Sequence, residues 1–229
     1  MAKKTEKPQE GIVKVEEALS KTEHFIEQNQ NLLLIIIGVI VVIILGYFGF
    51  KRLYIQPREE EAQVQMFMAE KYFGADSLDL ALNGDGMYPG FLQIIDDYGM
   101  TKSANLAKYY SGIIYLKKGD FNNAIDYLES FKGRDMIVNP MAKGAIGDAY
   151  MELNKPNDAV DYYLEAAEAD KNDFTAPLFY LKAGWTYEKL GKFSKALEIY
   201  EMIKKDFPKS NEAREIDKYI ARAKGMTGQ

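Results

Sequence analysis

GWTYEKLGKFSKALEIYEMIKKDFP, residues 184–208, sets Gly184 and Tyr187 in one run, breaks at Leu190–Gly191, resumes through Ala196, Tyr200 and Ile203, and closes on Pro208. Glycine inside a helix costs roughly 1 kcal/mol against alanine, so it marks a place where something must come close. On either side of Gly191 the small and apolar residues recur at three- and four-residue intervals. The stretch therefore reads as two short amphipathic helices joined by a glycine turn and stopped by proline. The same wording occurs upstream, as GDAYMELNKPNDAVDYYLEA at 147–166 and as GIIYLKKGDFNNAIDYLESF at 112–131.

Aligned on the small residue of the second helix (Ala124, Ala159 and Ala196), the three copies are 35 and 37 residues apart. A helix–turn–helix unit with a period near 34 is the signature of tetratricopeptide repeats. Each copy assigns the same jobs. Gly112, Gly147 and Gly184 admit the second helix, while Gly119, Asn154 and Gly191 make the turn. Leu128, Tyr163 and Tyr200 fill the core. The repeats are placed at 105–138, 140–173 and 177–210, within an all-α solenoid over 57–208. A divergent unit at 59–100 precedes them and contains an insertion at 74–88. Residues 209–229 supply a capping helix, with Ser210 as its N-cap, and a tail.

In such a solenoid the first helices line the inner surface. Counting from Asn105, Pro140 and Pro177, positions 2, 5, 9 and 12 face it. They are Leu106, Tyr109, Ile113 and Leu116; Met141, Gly144, Asp148 and Met151; and Leu178, Leu181, Trp185 and Glu188. This candidate partner-binding groove is mostly apolar and aromatic. It lacks the lysines and asparagines that would hold an acidic C-terminus. It suits a hydrophobic peptide, a partner helix, or the 74–88 insertion folded back.

Catalytic chemistry is poorly represented. The chain has no cysteine, and its one histidine, His24, precedes the repeats, so thiolate and histidine-based sites are excluded from the folded part. There is no phosphate-binding glycine loop, nucleophile elbow or HExxH motif. In ADSLDLALNGDG (75–86), Asp79, Asn83 and Asp85 offer oxygens, but the spacing is wrong for a calcium loop and the closing glutamate is missing, so it reads as a solvated loop. A net charge of −5 argues against nucleic acid as a partner. The expectation is a non-enzymatic chain with no cofactor, no metal and no small-molecule substrate.

Residues 32–50, LLLIIIGVIVVIILGYFGF, form 19 uncharged positions. At 1.5 Å per residue they span roughly 30 Å, the hydrocarbon thickness of a bilayer. Lys51 and Arg52 stop the run, and Tyr47, Phe48, Phe50 and Tyr54 suit the headgroup boundary. A signal peptide would be shorter and would start earlier. The reading is one transmembrane helix, preceded by a disordered tail at 1–11 and an amphipathic membrane-proximal helix at 12–31. Orientation stays open on charge, because Lys14 and Lys21 face Lys51, Arg52 and Arg58 across the span while the whole tail carries five lysines.

A short tail, one span and then repeats with the wording GWxYxxLGxxxxAxxxYxxxxxxxP resembles the YfgM-type family of bacterial inner-membrane proteins, ancillary to the Sec translocon. The resemblance runs from about Ala18 to the end. It implies a single-pass protein of the inner membrane, with its N-terminus cytoplasmic and its repeat domain periplasmic. It also implies partners among translocon subunits, a membrane-anchored periplasmic chaperone and unfolded secreted chains. The other reading compatible with the residues is a structural scaffold of a different envelope assembly for secretion, division or cell-wall synthesis. The acidic 74–88 insertion departs from the family pattern.

Overall fold

The computed structural model describes residues 7–228, with side chains from Glu27 onward. It divides into two compact units, residues 1–57 and 58–229. The first is dominated by helix α1 (Lys7–Phe50), followed by one π-helical turn, Lys51–Ile55. Residues 7–11, read from composition as disordered, belong to α1. Pro8 falls in the first helical turn, where its missing N–H is no loss. Residues 1–6 lie outside the described residues. The apolar stretch of α1 is long and uncharged enough to cross a membrane, and none of it is buried within the protein.

The second unit is a stack of helices in chain order. Helix α2 (Gln56–Gly74), short α3 (Leu78–Asn83) and α4 (Phe91–Tyr98) precede three regular pairs. These are α5 (Lys102–Lys118) with α6 (Phe121–Ser130), α7 (Val138–Glu152) with α8 (Pro156–Ala169), and α9 (Ala176–Lys189) with α10 (Phe193–Asp206). A 3₁₀ turn, Glu212–Glu215, leads into α11 (Ile216–Thr227). From α4 to α11 each helix packs on the next. We call the first helix of each pair A and the second B.

The turn chemistry explains the boundaries. Thr101 caps α5 by accepting from the Ala104 N–H at 3.1 Å, and Asp120 caps α6 by accepting from the Asn123 N–H. Gly119, Asn154 and Gly191 all take positive φ (80°, 56° and 69°), reversing the chain between A and B at the same place in each pair. Asparagine tolerates that conformation better than most residues, which is why the second pair can do without glycine. Pro156 and Pro177 sit in first turns. Ser210 caps the 3₁₀ turn through the Ala213 N–H rather than α11 itself.

Three apolar clusters follow one another. The first joins Met66 and Ala69 of α2 to Phe91 and Ile94 of α4 and Ala107 and Ile114 of α5. The second packs Ile125 and Leu128 against Ala142, Ile146 and Ala149. The third and largest gathers Tyr163, Phe179, Tyr180, Tyr200, Ile203 and Ile216. The A-helix glycines act as expected within pairs: a Cβ at Gly147 or Gly184 would strike the ring of Tyr163 or Tyr200.

The 74–88 stretch, read as a solvated loop, has structure of its own. Helix α3 buries Ala81 and Leu82 in the first cluster, while Asp79, Asn83 and Asp85 stay exposed. Its charges are spent on neighbours. Lys117 pairs with Asp76, Lys118 with Asp79, and the Tyr72 hydroxyl donates to Asp85 at 2.6 Å. Among the described residues no group of three or more acidic or histidine side chains is placed to hold a metal.

Candidate protein-docking surface

The residues counted to the inner surface occupy three environments. Leu106 packs on the first cluster. Tyr109, Ile113 and Leu116 are half-buried against the second, with the Tyr109 ring 5.6 Å from Phe131, and burial pushes the Tyr109 phenol upward in pKa. Met141, Met151 and Leu178 pack against the third cluster, and Leu181 is buried in it. Gly144 is filled from the next repeat, because a Cβ there would stand 1.8 Å from Phe179 Cε1. Asp148 and Glu188 are half-buried and paired. Trp185 alone of the set is exposed, at 42%.

The paired acids follow a rule. The Asp148 carboxylate accepts from Lys182 Nζ at 2.7 and 2.8 Å and from the Tyr163 hydroxyl at 2.6 Å. Burial, and then that bond to Asp148, raises the Tyr163 pKa, so the phenol stays a donor. Glu188 accepts from both Nε and Nη2 of Arg222. In each pair the partners stand 34 residues apart, one repeat period. Trp185 meets Tyr219 at the same separation, with ring centroids 5.8 Å apart. Helix α11 therefore packs as a further A helix, in register with those before it. Opposite charges spaced by one repeat were visible in the sequence and would have predicted both ion pairs.

Beside Trp185 the inner face opens into a hollow of about 360 Å³, lined by Met151, Tyr163, Lys182, Trp185, Thr186 and Lys189. Thr186 Oγ1 lies 3.8 Å from the Met151 sulfur, which fixes one wall. The Lys182 charge is met by Asp148, so the floor is apolar and aromatic while Lys189 stands exposed at the rim. The hollow has room for an apolar side chain and carries a positive charge at its rim.

Tetratricopeptide-repeat models match residues 106–135 and 179–210, and a further one matches 142–173. The second unit is a tetratricopeptide-repeat solenoid. The matched segments coincide with the three helical pairs and bracket the hollow. Among solved structures, the nearly identical TPR-like repeats of a Podosopora anserina protein assigned as a kinesin light chain superpose with a TM-score of 0.56 at 14% identity, covering 75% of this chain and 89% of that one. A single-substitution form of the same repeats gives 0.55 at 14% identity, covering 75% and 88%. At such identity the likeness is one of fold. No curated protein matches the chain in sequence. Repeats of this kind serve as scaffolds for protein–protein interaction.

Proposed function

We propose that the chain is a membrane-anchored, non-enzymatic adaptor of the bacterial inner membrane. Residues 32–50 cross the bilayer once, the N-terminus is cytoplasmic, and the repeats dock protein partners in the periplasm beside the Sec translocon. The hollow at Trp185 carries the docking part of this reading, since along the counted inner strip the other side chains are largely occupied by neighbouring repeats. Tyr109, Ile113, Met151 and Leu181 support the strip on which Trp185 stands. The preferred partner segment presents an aliphatic or aromatic anchor next to an acidic residue. An apolar helix with no protein cover supports the anchor. The resemblance to YfgM-type proteins supports the compartment and the translocon, its membrane-anchored chaperone and secreted chains as partners.

Affinity purification of the full chain in mild detergent tests this. Translocon subunits and the periplasmic chaperone should co-purify, and Trp185→Ala should lose them while the far-ultraviolet helical signal persists. Recovery of a division or cell-wall assembly instead would assign the adaptor to that machine. Undiminished capture by Trp185→Ala would move the docking surface away from the hollow.

A further inference from the structure

Helix α2 opens the repeat stack and is apolar on two sides. On one side Ala62, Met66 and Ala69 are buried. The opposite side carries Val64, exposed at 75%, and Phe67 at 63%. With Glu60 and Lys71 they follow one another at intervals of four, three and four residues, so the four side chains form one strip along the helix. Glu60, Gln63, Val64 and Phe67 surround an open depression of about 540 Å³. The other end of the stack differs, because α11 exposes Asp217, Lys218, Ala221 and Gly225. The outermost helices of a repeat array stay soluble through a polar outer face. The α2 end breaks that rule at its centre.

Most charges of α2 are spent within the repeat unit. Arg58 donates to the Asp97 carbonyl, and Glu59 accepts from the Lys102 N–H and the Ser103 hydroxyl. Glu61 faces the Tyr98 hydroxyl and Glu70 the Tyr110 hydroxyl. Among the described residues Glu60 and Lys71 have no partner, and both are exposed. These two are the ends of the strip. Along the helix it therefore reads acid, apolar, apolar, base.

Such a strip is complementary to its own reverse. We propose that a second copy of this chain covers it, the two α2 helices packing antiparallel about a two-fold axis that passes between Val64 and Phe67. Glu60 of each copy then meets Lys71 of the other, and Val64 of each meets Phe67 of the other, because both pairs are centred on the same point of the helix. Phe67 of each copy comes to the depression beside Val64 of the other. Parallel packing would set Glu60 against Glu60 and Lys71 against Lys71, which repel. An unrelated partner would account for the apolar pair but not for the order of the charges. A two-fold contact of this kind closes on itself at two copies. Four side chains from each copy make a small interface, so the pair is weak and reversible. The inference holds whichever compartment and partners the repeats serve.

Sedimentation equilibrium of the full chain in density-matched non-ionic detergent, at low ionic strength, tests this. The parent should show a reversible monomer–dimer equilibrium at concentrations up to about 0.5 mM. Glu60→Lys and Lys71→Glu each turn both cross-pairs from attraction to repulsion, and each should weaken the dimer roughly tenfold. The double variant Glu60→Lys with Lys71→Glu rebuilds both pairs in the opposite sense and should return to within about threefold of the parent. Phe67→Ser should leave a monomer. All three positions are exposed, so each variant keeps the parent's helical circular dichroism. A parent that stays monomeric overturns the proposal. A dimer indifferent to Phe67→Ser also overturns it, since the contact would then lie elsewhere, residues 32–50 included. A double variant no tighter than the single ones overturns the antiparallel order and the charge pairing on which it stands.

Discussion

Gly144→Ala adds a single methyl group, yet it should be among the more damaging conservative changes in the chain. The new Cβ would lie 1.8 Å from Cε1 and 2.3 Å from Cζ of Phe179. Ordinary contact begins near 3.4 Å, so the ring must retreat by more than 1 Å, and at 2% exposure it has nowhere open to go. Overpacking of this kind costs about 1–3 kcal/mol, and the overlap puts it at the upper end. Better helix propensity returns roughly 1 kcal/mol. The net expectation is a loss of about 2 kcal/mol, placed at the junction of α7 and α9. Gly225→Ala in α11 is the internal control, because nothing lies within 4 Å of a Cβ there. The same chemical change should then stabilise by up to about 1 kcal/mol. Urea unfolding of the full chain in detergent reads both, by circular dichroism and by Trp185, the one tryptophan, which reports on the third pair. A Gly144→Ala midpoint equal to or above the parent's would refute the packing of Phe179 on residue 144.

Two further outcomes are expected. Burial raises the pKa of Glu59, but bonds from the Ser103 hydroxyl, Gln63 and the Lys102 and Ser103 N–H groups prevail and leave it below its ordinary value. The unfolded chain then binds the proton more readily, so the stability Glu59 contributes is present above about pH 5 and fades as pH falls through its folded value. For a group this exposed that contribution is at most about 1 kcal/mol; the gap between parent and Glu59→Gln in urea midpoints should narrow between about pH 6 and about pH 3, and a constant gap would refute the assignment. Ile216→Ala, at a side chain 1% exposed, should cost about 2–4 kcal/mol and loosen α11 first, seen as a shift in Trp185 emission before the main helical transition; simultaneous loss of both signals would mean that α11 is not a separable end.

The order of the repeats was legible because each pair is local. Its glycine, turn residue and core-filling side chain lie within some twenty positions, and periodicity reports them directly. Gly147 against Tyr163 follows from that pattern. What periodicity misses is contact between units. Gly144 belongs with the inner-face positions by count, but its neighbour is Phe179 of the following repeat, and only the stack brings them together. The partners of Asp148 and Glu188 are likewise one repeat away. The helix in the insertion was hidden for a different reason: six residues with only Ala81 and Leu82 buried give too little pattern to recognise. The hollow at Trp185 depends on which inner-face side chains the next repeat covers. That is a property of the array rather than of any one sequence segment.

Helix α11 offers Tyr219 and Arg222 to Trp185 and Glu188 as a following repeat would. In a stack whose units touch only their neighbours, a whole pair duplicated from residues 177–210 would present α11 with the same two partners. The array can thus grow or shrink by one unit while its last helix stays as it is. Length, and with it the number of inner-face surfaces available to partners, becomes a variable that evolution or an engineer can change in single steps without rebuilding the end.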